Sequence, residues 1–132
     1  MTTRALFVCD ANRHRSPTAA RLFSAVPGLD CYSAGTCAED SPQGGRQVVQ
    51  SDVERADIVF VMVPRHRDQL LRRFGRRHAG RIVVLGVEDI YQFGSPDLVE
   101  ALLRCVPQHL PLPVDASALR RAFSGILRSS CW

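Results

Sequence analysis

Short, wholly apolar runs alternate along this chain with helical stretches, and that alternation limits the fold more than any other feature. Ala5-Leu6-Phe7-Val8 is continuous and apolar, as in a strand buried on both faces. After a loop comes Ser16-Pro17, with Ser16 expected to cap a helix that Pro17 opens and that continues through Phe23. Cys31-Tyr32-Ser33-Ala34 reads as a second strand closed by Gly35. Residues 36–46, rich in glycine, proline and polar side chains, read as a loop. A short helix over 47–56 precedes the strand Ile58-Val59-Phe60-Val61-Met62. Pro64 opens a helix to Phe74 with Leu70, Leu71 and Phe74 on its buried face, and residues 81–85 form a fourth strand. Ser95-Pro96 starts a further helix carrying Leu98, Val99, Leu102 and Leu103. Strands separated by helices pair in parallel and need helical cover on both faces. The expected fold is therefore α/β, a three-layer α/β/α domain around a four-stranded parallel sheet.

Three prolines between 107 and 113 stop helix formation. From Asp115 onward, Leu119, Phe123, Ile126 and Leu127 recur at helical spacing, so the extension over 110–132 should end in an amphipathic helix. Its spacing alone leaves open whether it packs on its own sheet or on a partner. No internal repeat or linker divides the 132 residues, and one domain of that length can bury a core. No apolar run approaches the roughly 20 residues of a membrane span. The run after Arg4 breaks at Cys9-Asp10, too early for a secretory signal, so the expected location is the cytoplasm. The five cysteines (Cys9, Cys31, Cys37, Cys105 and Cys131) show no zinc-ligand spacing. No metal or cofactor is expected.

One cysteine stands where chemistry would want it. Cys9 ends the first strand, Arg15 precedes the helix start, and a short loop joins them. A strand, tight loop and helix N-terminus together bind phosphate, because loop N–H groups turn inward and the helix end adds partial positive charge. A cationic, amide-lined pocket also favours the thiolate form of a cysteine. Arg15 supplies a planar fork for two phosphoryl oxygens. Ser16 can donate a hydrogen bond to the sulfur, and Asn12 suits a left-handed backbone position.

These residues carry a resemblance. Leu6-Phe7-Val8-Cys9, then Asn12, then Arg15-Ser16-Pro17-Thr18-Ala19, resembles the active-site signature of the low-molecular-weight protein tyrosine phosphatases. Ser33-Ala34-Gly35-Thr36 and residues 56–62 resemble two further blocks of that family in the same order. The resemblance spans residues 4 to 110 and is nearest to a compact bacterial branch. It implies a flavodoxin-like sheet and a phosphomonoesterase, acting on protein phosphotyrosine through a phosphocysteine on Cys9. Asp10, Ala11, Asn12, Arg13, His14 and Ser16 would then line the phosphate site. Two positions depart from the family pattern. Ala11 replaces a glycine, which costs about 1 kcal/mol in strain unless its φ is negative. His14 replaces a second cysteine, removing the vicinal disulfide that protects the nucleophile in the family. Arg13 and His14 make the loop more cationic than usual, and Arg13 occupies a position that shapes substrate choice in the family.

The leaving oxygen of a phosphate ester needs a proton from a carboxylic acid on another loop. The family uses the aspartate of an Asp-Pro-Tyr motif after the fourth strand, and Asp89-Ile90-Tyr91 resembles it without the proline. Asp89 is assigned as the general acid, with Glu88 as the reserve. Tyr91 could wall the pocket, and Asp97 reads as a charge in the first turn of a helix. Arsenate reduction is disfavoured, since 85–98 holds no resolving cysteine.

The expected partners are a phosphorylated protein or a small phosphate ester, with inorganic phosphate as product and inhibitor. Phosphotyrosine, phosphoarginine and small phosphate esters all fit these residues. Neither a membrane nor nucleic acid is expected. The formal charge of +4 is carried by arginine alone on the basic side, much of it in a stretch from Arg65 to Arg81 that reads as a solvated helix face. That stretch lacks the interleaved aromatics of a single-strand binder. Two rival readings remain: a phosphate- or phosphoprotein-binding module without turnover, and a polyanion-binding protein.

Overall fold

The computed structural model describes residues 2–40 and 44–129, with side chains placed as far as residue 125. Ile126, Leu127 and Cys131 therefore lie outside the described side chains. Strands β1 (Thr3–Cys9), β2 (Leu29–Gly35), β3 (Ile58–Val61) and β4 (Ile82–Val84) form one sheet in the order β2-β1-β3-β4. All three pairings are parallel, with Phe7 opposite Ser33 and Phe60 in the central register. Helices α1 (Arg15–Phe23), α2 (Gln50–Arg55), α3 (Pro64–Phe74), α4 (Pro96–Cys105) and α5 (Ala116–Ser129) make the connections and the tail.

Strand alternation divides the core into two layers. Ala5, Phe7, Cys9, Phe60 and Met62 face α1, α4 and α5, meeting Leu22, Phe23, Leu98, Leu102, Leu119 and Phe123. The Phe7 ring stacks between Phe23, at 5.9 Å, and Phe60, at 5.1 Å. Leu6, Val8, Val59 and Val61 face the other way, onto Val53 of α2 and Leu70 and Leu71 of α3. The three-layer expectation therefore holds. The question about the tail is answered too: α5 seats Leu119 and Phe123, each 3% exposed, in the chain's own core beside α1.

Local boundaries differ from the sequence reading in instructive ways. The second helix is shorter than 47–56, because Gln47 instead forms an isolated parallel bridge with Gly35. Pro107–His109 is one short 3-10 turn within the proline segment, where only a break was expected. Ser95 caps α4 as anticipated, accepting from the Leu98 N–H at 3.2 Å.

Candidate active site

Ligands in open parallel sheets bind at the strand C-termini where neighbouring connections diverge. Here β1 lies between β2 and β3, so that point is the end of β1, at Cys9. The chain then turns through residues 10–14 into α1. The loop's carbonyls are drawn outward by the scaffold. Thr36 N–H donates to Cys9 O, Cys37 N–H to Asp10 O, Gly45 N–H to Ala11 O, and Thr18 N–H to His14 O, at 2.8–3.1 Å. Among the described residues, the N–H groups of Ala11 to His14 donate to no protein group. A run of inward amides ending on a helix N-terminus is an anion cradle.

Asn12 makes this turn possible. Its φ is +53°, the one positive value outside glycine among the described residues, so Ala11 takes the negative φ that avoids strain. The Asn12 amide donates to Ser16 Oγ and Ser33 Oγ, both at 2.9 Å, and its carbonyl accepts from Arg46 N–H at 2.9 Å. Glycine is required on the outer side of the loop. A Cβ on Gly35 would lie 2.4 Å from Asp10 O, and one on Gly45 would lie 2.4 Å from Asn12 O.

Ser16 corrects one expectation. The helix begins at Arg15 with His14 as its N-cap, because the His14 carbonyl already accepts the first helical bond. Ser16 is thus inside the first turn, fully buried, with Oγ 3.0 Å from Cys9 Sγ and 3.3 Å from Ala34 O. Its hydroxyl proton can turn from the carbonyl to the sulfur when the thiolate forms.

Arg15 is 2% exposed and spans the site. It donates to Val87 O at 2.9 Å and to Asp10 Oδ2 at 3.0 Å, and its Nε lies 3.8 Å from Asp89 Oδ1. Asp89 shares with Cys9, Arg13, His14 and Tyr91 the lining of a cavity of about 380 Å³. Glu88 points into a neighbouring cavity instead, and Asp97 stays exposed in the first turn of α4. Two bonds fasten the loop that follows Asp89 to the start of α1. Phe93 N–H donates to His14 Nδ1 and Gly94 N–H donates to Thr18 Oγ1, both at 3.0 Å. Burial foremost, then the Arg13 charge, pulls His14 below the usual histidine range against Asp89.

The Asp10 side chain does something the sequence did not suggest. Its carboxylate accepts from Arg15, from Arg65 and from His66 Nε2 at 3.0 Å. An anion so engaged braces Arg15 against α3 rather than holding phosphate, so only the Asp10 backbone suits the role expected of it. Burial raises the Asp10 carboxyl, but the contact with His66 and the Arg65 and Arg15 guanidiniums outweigh it, and its pKa falls below the ordinary range. His66 is fully buried, and its Nδ1 accepts from Val63 N–H, which leaves the proton on Nε2. Burial, partly offset by Asp10, keeps His66 below its usual range.

Arg65 and His66 were thus missed as site residues, and the basic stretch is not simply a solvated face. Arg73 donates to Thr36 O, Arg77 pairs with Glu54, Arg81 reaches Ala56 O, and His66 and His78 are buried. The available signal was Pro64, which puts Arg65 and His66 in a first helical turn just past β3, the neighbour of β1. Ile90, 74% exposed on the cavity wall, was also missed. The Cys31 thiol is pushed up to about 12 by burial and then by Asp30.

Strand order, the anion cradle after β1 and the helical layers define the fold of the low-molecular-weight phosphotyrosine phosphatases. No family model matches the chain. No curated protein sequence matches it either. Among solved structures it is similar to the YwlE arginine phosphatase from Geobacillus stearothermophilus, at 22% identity and TM-score 0.58, covering 96% of this chain and 94% of that one. It is similar to Wzb from Vibrio vulnificus in complex with benzylphosphonate, at 18% identity and TM-score 0.61, covering 98% and 100%. A low-molecular-weight phosphotyrosine phosphatase from Vibrio cholerae O395 aligns at 18% identity and TM-score 0.61, covering 98% and 99%.

Proposed function

We propose that the chain is a metal-independent phosphomonoesterase that acts on phosphorylated protein through a phosphocysteine on Cys9. The carrying observation is the convergence on one cavity of Cys9 Sγ, the inward loop amides, Arg15 and Asp89. Cys9 attacks phosphorus in line while the amides and Arg15 hold the equatorial oxygens. As the P–O ester bond breaks, Asp89 gives its proton to the leaving oxygen. Water then attacks the phosphocysteine, Asp89 takes its proton, and the S–P bond breaks. The Ser16 hydroxyl, 3.0 Å away, donates to the departing thiolate. Phosphate and the free alcohol are the products.

The cavity accommodates more than phosphate, and Ile90 and Tyr91 give it a partly apolar wall. That composition suits an aryl leaving group, which supports phosphotyrosine within the class. One observation favours the rival reading of binding without turnover: the Asp10 carboxylate already occupies part of the Arg15 fork. Single-turnover trapping with an aryl phosphate separates the two. A phosphorylated Cys9, absent in Cys9→Ser, is the expected result. Hydrolysis that survives intact in Cys9→Ser would refute the mechanism, and phosphate binding with no phosphocysteine would select the rival.

A further inference from the structure

Arginine grips a phosphoryl group through one edge of its guanidinium, where two N–H donors meet two oxygens. In Arg15, Nη1 is committed to Val87 O at 2.9 Å, which leaves the Nε–Nη2 edge for that task. Two carboxylates already face this edge: Asp10 Oδ2 at 3.0 Å from Nη2, and Asp89 Oδ1 at 3.8 Å from Nε. Arg15 is buried and tied to Val87, so it has no room to turn another edge to the cavity. Behind Asp10 stands the first turn of α3. Asp10 Oδ2 also accepts from Arg65, and His66 Nε2 donates to Oδ1 at 3.0 Å. His66 is fully buried, with Nδ1 fixed by Val63 N–H at 3.3 Å. Arg65 is exposed, and its one ion pair among the described residues is with Asp10.

We propose that Asp10 is a built-in competitor for the Arg15 fork, and that Arg65 is the positioning residue that draws it off when a phosphate group enters. The proposal rests on the phosphatase reading above and makes Asp10 a determinant of which oxyanions the site accepts. Each N–H of the edge serves one acceptor well, so the incoming group must take Nη2 from Asp10. The His66 contact is the pivot, because a buried ring with both nitrogens engaged stays where it is. Arg65 is the receiver. Its guanidinium keeps Oδ2 paired after Arg15 lets go, so the displaced carboxylate is never left without a cation. A phosphomonoester dianion brings two charged oxygens to the two donors of the edge and displaces Asp10. A singly charged carboxylate, sulfonate or phosphodiester offers Arg15 no more than Asp10 does, and is held off.

The test measures inorganic phosphate binding by isothermal calorimetry in the unaltered chain, Asp10→Asn, Arg65→Ala and the double variant. Asp10→Asn should bind about tenfold more tightly, because the isosteric amide keeps its contact with His66 and competes for Arg15 only as a neutral group. Arg65→Ala should bind about tenfold more weakly, because Asp10 then has only His66 and Arg15 to pair with. In the Asp10→Asn background that loss should shrink to about twofold. Removing a cation from the general field would cost the same in both backgrounds, so equal losses overturn the proposal. Weaker or unchanged phosphate binding in Asp10→Asn overturns it too, as does an unaltered chain that binds no phosphate. Asp10→Ser closes a second cycle, which decides the matter if the asparagine variant does not fold. Turnover of p-nitrophenyl phosphate is followed in parallel. There KM should move with the phosphate dissociation constant in each variant, and kcat should move less. The expected cycle without turnover supports the competitor and refutes the phosphatase reading. Turnover with equal Arg65→Ala losses refutes only the competitor.

Discussion

Replacing Asp89 by asparagine removes the proposed proton donor from a loop that is held in place by other groups. Val87 is fixed by Arg15 and by its own N–H to Met62 O, while Phe93 and Gly94 are tied to His14 and Thr18. The isosteric amide therefore leaves the cavity intact, and the change reports chemistry. Loss of a general acid costs roughly 10²–10⁴-fold in rate when the leaving oxygen is basic. The same substitution removes a charge 3.8 Å from Arg15 Nε. Asp89 is 64% exposed, so a water-like dielectric applies and the attraction is about 1 kcal/mol. Inorganic phosphate should then bind Asp89→Asn as well as the unaltered chain, or up to about fivefold better. The assay compares kcat for phenyl phosphate with kcat for an aryl phosphate whose leaving group is already acidic. Asp89→Asn should fall about a thousandfold on the first and far less on the second, with the phosphate inhibition constant unchanged or lower. Glu88→Gln should match the unaltered chain on both, since Glu88 faces the adjacent cavity. Equal losses on the two substrates, or full phenyl phosphate activity in Asp89→Asn with a collapse in Glu88→Gln, would refute the assignment.

Other perturbations test the scaffold. Gly35→Ala forces a Cβ against the Asp10, Ala11 and Asn12 backbone, and should abolish phosphate binding by isothermal calorimetry while costing about 1–3 kcal/mol in denaturant unfolding. Phe60→Ala removes the fully buried ring that closes one side of the Phe7 stack and should cost about 3–5 kcal/mol in the same measurement, a loss below 1 kcal/mol contradicting the packing described. Acidification tests the buried histidines. His66 and His78 are held below the usual histidine value of 6.5 in the folded chain, so the unfolded chain takes up their protons first as pH falls. Their contribution is complete above about pH 6.5 and is lost as pH drops from there toward their folded values, at no more than about 1.4 kcal/mol per proton per pH unit. Tm should therefore fall between about pH 7 and pH 5, with a shallower slope in His66→Gln; a Tm that holds or rises on acidification would contradict the buried neutral imidazoles.

Much of the layout was legible because it is written in local pattern. Continuous apolar runs become strands buried on both faces, Ser95-Pro96 caps and opens α4, and Leu119 and Phe123 repeat at the period that puts both in the core. The site's centre was legible for the same reason, since Cys9, Asn12 and Arg15 lie within one strand-loop-helix turn. The misreadings share a cause. Ser16 was expected to cap because Ser-Pro commonly does, but the loop path makes His14 the first helical acceptor and releases Ser16 to the sulfur. The arginine stretch was expected to be solvated because charge density alone says nothing of which carbonyl or carboxylate folds against it.

By itself the sequence determined the parallel α/β architecture and the place of Cys9 and Arg15 at one end of β1, because strand burial, helix starts and short loops are set by neighbours a few residues away. Only the tertiary structure decided that Asn12 is braced by Ser33 and Arg46, that Arg65 and His66 clamp Asp10, and that Asp89 rather than Glu88 lines the same cavity as Cys9. Those contacts join residues tens of positions apart, across strands whose order is fixed only when the whole sheet forms. Their geometry depends on which backbone groups are left unpaired there, and no local pattern records that.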